Sequence, residues 1–341
     1  MKTKVAVVIL NWNGRALLER FLPSVVAHSA DEGVEIIVAD NCSDDGSLSF
    51  LKDNYPQVRT IVLSQNWGYA DGYNKALQEI EAEYYVLLNS DVEVTFGWLQ
   101  PMIDYMDEHP VVAAIQPKIL SERNKTYFEY AGASGGFIDK YGYPFCRGRI
   151  FGVVEEDGGQ YNSVSDIFWA SGAALLIRSK DYFEVGGFDG TFFAHMEEID
   201  LCWRLNARGR RIVCFPQSVV YHVGGATLTG ESPRKTYLNF RNNIIMLYKN
   251  LQEQDFEKLY SIRRMFDYAA ALKYFLGGKK KNAKAIFEAH QDFKRIKSDY
   301  KQQQKENQKY AIQPQIGTIY KSSILWDFYL KGIKKFGDLN I

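Results

Sequence analysis

Residues 4–14 read KVAVVILNWNG, a β-branched run of strand length that halts at Asn11-Trp12-Asn13-Gly14 and leads into a helical stretch over 15–29. The alternation then repeats. Residues 35–39 form a second apolar run ending at Asp40-Asn41, followed by the turn-rich CSDDGS and a short helix. Residues 59–63 read as a third strand, 72–82 as a helix, and 84–88, within YYVLLNSDVEV (84–94), as a fourth strand ending at Asn89-Ser90-Asp91. Strands alternating with helices predict an α/β fold around a doubly wound, mostly parallel sheet. Ligands of such sheets gather at the carboxyl ends of the strands, where Asn11, Asp40 and Asp91 fall.

Farther along, the pattern breaks. Residues 112–166 are rich in Gly and Tyr and read as substrate-shaping loops. Regular structure resumes over 167–177, 194–209 reads as a helix, and 211–215 and 218–222 read as two further strands. After Ser232 the chain reads as mainly helical, with amphipathic helices over 263–276 and 282–296 flanking the basic turn Lys279-Lys280-Lys281.

The formal net charge of zero hides an asymmetry. Residues 232–341 hold 22 Lys and Arg against 10 Asp and Glu, a net +12, which leaves −12 for residues 1–231. A basic segment on an acidic body points to an anionic surface. No nucleic-acid-binding motif accompanies it, so a membrane surface is the simpler partner. Met265, Phe266, Tyr268, Leu272, Phe275, Ile286 and Phe293 are interspersed there with Arg263, Arg264, Lys273, Lys279, Lys280, Lys281 and Lys284. Each basic residue near an anionic leaflet contributes about 1 kcal/mol. The competing explanation is that the apolar residues pack this segment onto the body.

Other classes are set aside by what the sequence lacks. Four scattered cysteines form neither a zinc knuckle nor a disulfide framework and fit a reducing, cytoplasmic compartment. The opening residues read as a core strand rather than a signal peptide, and no apolar stretch reaches the roughly 18 residues of a spanning helix. There is no Gly-x-x-x-x-Gly-Lys loop, His-Glu-x-x-His helix or Gly-x-Ser-x-Gly elbow.

Asp91, just past a hydrophobic strand, can bind a hard divalent cation beside phosphate oxygens, or can cap the next turn. Asp40 can accept a hydrogen bond from a nucleobase or cap its own turn. FDGTFFAHMEEIDLCWRL (188–205) places Glu197, Glu198 and Asp200 at the start of a helix, where a carboxylate can take a proton from a hydroxyl. Helical spacing pairs Asp200 with Arg204, a structural role. His222 ends VVYHVGG, whose glycines, Gly224 and Gly225, permit close approach of a ligand. It gains meaning only if the fold brings it to Asp91.

Together VVILNWNG, VADNCSDDGS, NWGYADGYNKAL, YYVLLNSDVEV, GGFDGTFFAHMEEIDLCWR, VVYHVGG and LNFRNN occur in the order found in family 2 glycosyltransferases. The chain resembles their bacterial rhamnosyltransferase-like branch, which builds surface polysaccharides, over residues 4 to about 250. The resemblance implies a GT-A fold and inverting transfer of a sugar from a nucleotide-diphosphate donor, dTDP-rhamnose or a UDP- or GDP-sugar, to a saccharide hydroxyl. It implies Mn2+ or Mg2+ as cofactor and a lipid-linked acceptor. By the same carry-over Asp40 recognises the donor base, and Asn89-Ser90-Asp91 matches the family's DXD motif with Asn in the first place. Asp91 and His222 are then the metal ligands. Glu197-Glu198 matches a Glu-Asp pair whose second member is the general base, which gives that role to Glu198. Asn11, Asn66, Gly68, Asn74 and Asn89 line the donor pocket, Trp169 and Gly172 lie near the acceptor, and Arg241 belongs to the substrate-binding set. The catalytic domain is expected over 1–231, with a nucleotide-sugar half to about 111 and an acceptor half from about 112, and a basic helical extension over 232–341. Two rivals remain. One is a sugar-phosphate nucleotidyltransferase, which carries a Gly-rich basic loop where this chain has Asn11-Trp12-Asn13-Gly14. The other is an inactive membrane-associated scaffold.

Overall fold

The computed structural model describes residues 3–224, 232–313 and 315–341. β1 (Val5–Asn11), β2 (Val34–Asp40), β3 (Arg59–Val62) and β4 (Tyr84–Asn89) pair in parallel in the order β4-β1-β2-β3. β1 and β4 are buried along almost their whole length, as expected of parallel strands covered on both faces. α1 (Arg15–Ser29), α2 (Ser47–Asn54) and α3 (Gly68–Leu77) make the crossovers. Register sets Asn11 opposite Asp40 and Leu10 opposite Asn89, so three strand ends share one rim.

β5 (Val92–Val94) and α4 (Gln100–Glu108) follow. Residues 112–121, expected to open a loop region, instead form β6 (Val112–Ser121), a long strand buried except at its last residue. Pro117 lies opposite Phe215, where the partner strand shifts register between Phe215 and Val219. A proline lacks the N–H a ladder needs, and a bulge is where that loss is tolerated. β7 (Gly136–Asp139), β8 (Pro144–Cys146), β9 (Arg149–Ile150) and β10 (Val153–Val154) form a second, small sheet inside the region read as loops. Next come β11 (Ser165–Asp166), β12 (Ala174–Arg178), α5 (Ser179–Glu184), α6 (Glu197–Ala207) and β13 (Arg211–His222). β13 is a single bulged strand where two were expected.

The main sheet runs β11-β13-β6-β12-β4-β1-β2-β3, with β5 on β13. β12 is antiparallel to β4, so its start reaches the same rim, and Asn89 N donates to Ala173 O at 2.9–3.0 Å range typical of a ladder bond, here 3.0 Å. β13 ends at His222 opposite Val92.

The C-terminal region contains α7 (Pro233–Asn250), α8 (Glu253–Leu276), α9 (Lys280–Ile296), α10 (Lys301–Tyr310), β14 (Ile319–Tyr320) and α11 (Ile324–Tyr329). Ser232 caps α7 by accepting from Lys235 N at 3.2 Å, with Pro233 in the first turn. β14 pairs with β7 and completes the small sheet. One apolar cluster joins Phe168 and Trp203 to Leu247, Phe256, Phe293 and Tyr320, so this region and the preceding one share a core. Ile286 and Phe293 lie in buried positions, whereas Met265, Leu272 and Phe275 are exposed. Among the described residues, no helix is long and apolar enough to cross a membrane.

Candidate active site

At the end of β1, Asn11 Nδ2 donates to Asp40 Oδ1 at 2.9 Å, and Ser43 N donates to Asp40 Oδ2 at 2.9 Å. Asp40 is buried; one oxygen ties it to the end of β1 and the other anchors the loop behind β2, with further lone pairs left to accept. Asn41, which the sequence reading passed over, ties that loop to the next: its Nδ2 donates to Asn66 Oδ1 at 3.1 Å and Gly68 O at 2.9 Å, and its Oδ1 accepts from Trp67 N at 2.9 Å. Gly68 has φ +75, and a Cβ there would meet the Phe193 ring at 2.6 Å. Tyr69 N donates to Phe193 O at 2.9 Å, and Tyr69 Oη donates to Gly172 O at 2.8 Å. The segment around Gly68 and Tyr69 is thereby held against Gly172 and Phe193.

Asp91 and His222 meet. His222 Nε2 lies 3.1 Å from Asp91 Oδ1 and 3.4 Å from Asn89 Nδ2, and all three residues sit at the ends of β4 and β13. Glu129, absent from the sequence reading, faces the other ring nitrogen with Oε2 3.5 Å from Nδ1, while its Oε2 also accepts from Ala131 N. Gly224 packs so tightly here that a Cβ would come within 2.5 Å of Glu129 Oε1; Gly225 lies outside the described residues. Burial alone would lower the His222 pKa, but Asp91 and Glu129 outweigh it and raise it to about 10.

This donor set fits a divalent cation. Asp91 offers a buried carboxylate and His222 an imidazole turned toward it, a combination that suits Mn2+ and accommodates Mg2+. Among the described residues there is no cluster of three or more His, Cys, Asp and Glu ligands, so remaining positions would fall to phosphate oxygens and water.

Glu197 and Glu198 open α6 behind an unusual loop. Phe193, His195 and Met196 all have left-handed φ, at 64, 72 and 74 degrees, a strained arrangement for non-glycine residues. Among the described residues, Glu197 Oε2, Glu198 Oε2, His195 Nε2 and Asn11 Oδ1 are buried without hydrogen-bond partners. Such orphans are rare in stable interiors and concentrate where a ligand completes the site. Burial pushes the Glu198 carboxyl up to about 7, against stabilising backbone hydrogen bonds at the helix start. Burial raises Glu197 well above the carboxylate range, and the neighbouring Glu198 charge adds to this. Burial lowers His195 to about 4, helped by Lys235.

The strained loop is held by α7. Asn242 Nδ2 donates to the carbonyls of Phe192, Ala194 and His195 at 3.0, 3.0 and 2.8 Å, and Arg241 Nη2 donates to Thr191 O at 2.8 Å. Arg241 therefore clamps the carboxylate loop from behind, and its unremarked neighbour Asn242 does more of the clamping. The remaining expected residues face protein. Asn74 gives Nδ2 to Phe188 O and takes Tyr182 Oη and Phe188 N on Oδ1, at 2.9, 2.7 and 3.0 Å. Trp169 Nε1 donates to Phe137 O at 3.0 Å, and its ring lies against Gly136. These two brace the walls of the site through protein contacts.

A mixed, mostly parallel sheet with helical crossovers and polar side chains gathered at its strand ends is the architecture of a GT-A glycosyltransferase. Solved structures agree on the fold: GalNAc-T7 with UDP, GalNAc and Mn2+ has a TM-score of 0.59 at 16% identity over 77% of this chain and 51% of that one. Staphylococcus aureus TarS 1–349 with UDP-GlcNAc has a TM-score of 0.56 at 16% identity, covering 85% and 80%. The profile of Glycosyl transferase family 2 matches residues 6–193, and the chain belongs to that family. Among curated relatives, the N-acetylglucosaminyl-diphospho-decaprenol L-rhamnosyltransferase of Mycobacterium tuberculosis is 27% identical over 68% of this chain and 80% of its own length. Rhamnosyltransferase WbbL of Escherichia coli K12 is 24% identical over 64% and 83%.

Proposed function

We propose that this glycosyltransferase transfers a sugar, with inversion, from a nucleoside-diphosphate donor to a hydroxyl of a lipid-linked saccharide in surface polysaccharide synthesis. The observation that carries the reading is the Glu197-Glu198 pair, each with a buried oxygen that has no partner among the described residues, in a fold that also joins Asp91 to His222 at the strand-end rim. The names of the two rhamnosyltransferase relatives support dTDP-rhamnose ahead of a UDP- or GDP-sugar, and the decaprenol-linked substrate named for one supports a lipid-linked acceptor. The basic C-terminal region would meet the anionic inner face of the membrane.

In this reading the Asp40 loop, Asn11, Asn66 and Gly68 receive the nucleotide. Glu198 takes the acceptor proton as the hydroxyl oxygen attacks the anomeric carbon from the face opposite the diphosphate. The new carbon–oxygen bond forms as the old one breaks, and the nucleoside diphosphate leaves with the bonding electrons. An affinity for protons near neutrality suits Glu198 to this task, because a base of ordinary carboxylate strength would hold the proton poorly. A divalent cation held by Asp91 and His222 would supply charge neutralisation for the leaving diphosphate.

The test is thermal shift against a nucleotide panel with and without Mn2+, followed by transfer to a polyprenyl-diphosphate saccharide. One base should stabilise the protein more with Mn2+ than without it, and Asp91→Ala should abolish that increment and the transfer. Metal-independent stabilisation in both proteins would remove Asp91 from the metal site. Absence of donor hydrolysis and of transfer with every nucleotide sugar would instead favour the scaffold.

A further inference from the structure

Seven of the exposed apolar side chains in the C-terminal region lie on two helices or directly after them. Met265, Leu272, Phe275 and Leu276 on α8, and Trp326, Tyr329 and Leu330 at α11, are each between 53% and 77% exposed. Residues 265, 272 and 276 share a face on helical spacing. The two helices adjoin, since Lys273 Nζ lies 5.2 Å from the centre of the Tyr329 ring and 3.4 Å from its hydroxyl. By contrast α9 turns Ile286 and Phe293 inward and leaves Phe287 as its exposed large apolar residue.

The sequence that follows each of the two helices is basic. Lys279, Lys280 and Lys281 follow α8 directly, and Lys331, Lys334 and Lys335 follow α11. Residues 268–284 contain no acid, and residues 321–336 contain only Asp327, which is buried and paired with Lys331 at 2.8 Å. Lys280 Nζ lies 5.7 Å from the Phe275 ring centre, so cation and apolar surface are neighbours. Aliphatic and aromatic side chains with an amphipathic Trp and Tyr, rimmed by ammonium groups, match the boundary between anionic headgroups and acyl chains.

We propose that the adjoining ends of α8 and α11 form the face that docks on an anionic lipid bilayer. Leu272, Phe275, Leu276, Trp326 and Leu330 enter the headgroup boundary, and the lysines engage lipid phosphates. The inference rests on the membrane reading above and names the surface that makes the contact.

The full chain is sedimented with vesicles of phosphatidylglycerol and phosphatidylcholine, or of phosphatidylcholine alone. Binding should require the anionic lipid and weaken with salt. A variant carrying Leu272→Gln, Phe275→Gln, Leu276→Gln, Trp326→Gln and Leu330→Gln should bind at least about tenfold less, as should Lys279→Gln, Lys280→Gln, Lys281→Gln. Donor hydrolysis should be unchanged in both, which separates docking from catalysis and reports intact folding. Brominated acyl chains should quench tryptophan fluorescence in the native chain and not in Trp326→Phe. Vesicle binding that survives the apolar variant, or quenching that survives Trp326→Phe, overturns the proposal. So does self-association without vesicles that the apolar variant abolishes, which would assign the face to a second copy. Vesicle binding by a chain that transfers no sugar would sink the functional reading and leave this one standing.

Discussion

Two sets of buried acids on α6 lie less than one helical turn apart and have opposite surroundings. Asp200 meets Arg204 Nε at 3.0 Å, Lys249 Nζ at 2.9 Å and Asn250 Nδ2 at 2.9 Å, and Lys249 also bridges to Asp189 at 2.5 Å. Burial works to raise the Asp200 pKa, but Lys249 and Arg204 overcome it and hold the carboxyl below its usual value. Among the described residues Glu197 and Glu198 have no such cations, and each leaves an oxygen without a partner. The compensated set joins α6 to α7 and stabilises the fold. The uncompensated set has a raised proton affinity, at the expense of stability, as a functional site permits.

Glu198→Gln probes this contrast most severely. Transfer should fall by about 10²–10⁴-fold in steady-state assays, with nucleotide affinity and melting temperature preserved or raised. Glu197→Gln should do less harm, and the reverse ranking would exchange the two roles. Asp200→Ala should give the complementary result, a loss of about 3–5 kcal/mol in urea unfolding, because it leaves Arg204 buried without its acid and Lys249 with Asp189 alone. Equal unfolding curves for Asp200→Ala and Glu198→Gln would erase the distinction between the sets.

A smaller effect is expected at Glu129, which orients His222 from the side away from Asp91. Glu129→Gln should weaken Mn2+ affinity about 10–100-fold by titration in the presence of nucleotide. Unchanged affinity would leave Glu129 a purely structural acid. The smallest effect is a pH slope. Between the ordinary glutamate value of 4.5 and about 7, folded Glu198 keeps a proton that the unfolded chain has released. Its contribution to stability is therefore full at low pH and is lost as pH rises through about 7. Melting temperature should carry part of that decline, Glu198→Gln should flatten it, and transfer should rise over the same interval as the base form appears. Identical melting profiles in the two proteins would place the raised proton affinity elsewhere.

The parallel half of the sheet was legible because each of its strands is a short apolar run closed by a turn, and Asn11, Asp40 and Asp91 follow from where those runs stop. The pairing of Asp200 with Arg204 was legible from helical spacing. β6 was not, because Pro117 and the neighbouring polar residues break its pattern, and the bulge that accommodates them belongs to a strand far along the chain. Glu129 has no local signature either; β6 and β13 bring it to His222 through tertiary pairing. Asn242 and Asn243 did leave a trace. Both are buried on α7, and consecutive buried amides in a helix imply carbonyls to be held. Sequence could place Asn74 and Trp169 close to the site, but side-chain direction decided that their polar atoms serve Phe188, Tyr182 and Phe137.

The contact between Tyr69 N and Phe193 O has a thermodynamic consequence. It joins the segment after Asn66, where a nucleotide is expected, to the segment before Glu198, where an acceptor is expected. We hypothesise that this latch transmits occupancy, so that nucleotide and acceptor are heterotropic effectors of each other. Linkage then requires one factor in both directions: whatever the nucleotide does to acceptor affinity, the acceptor must do to nucleotide affinity. Calorimetric titration of each ligand with and without the other measures that factor. A value of one in the native chain would mean that the latch fixes geometry without carrying a signal.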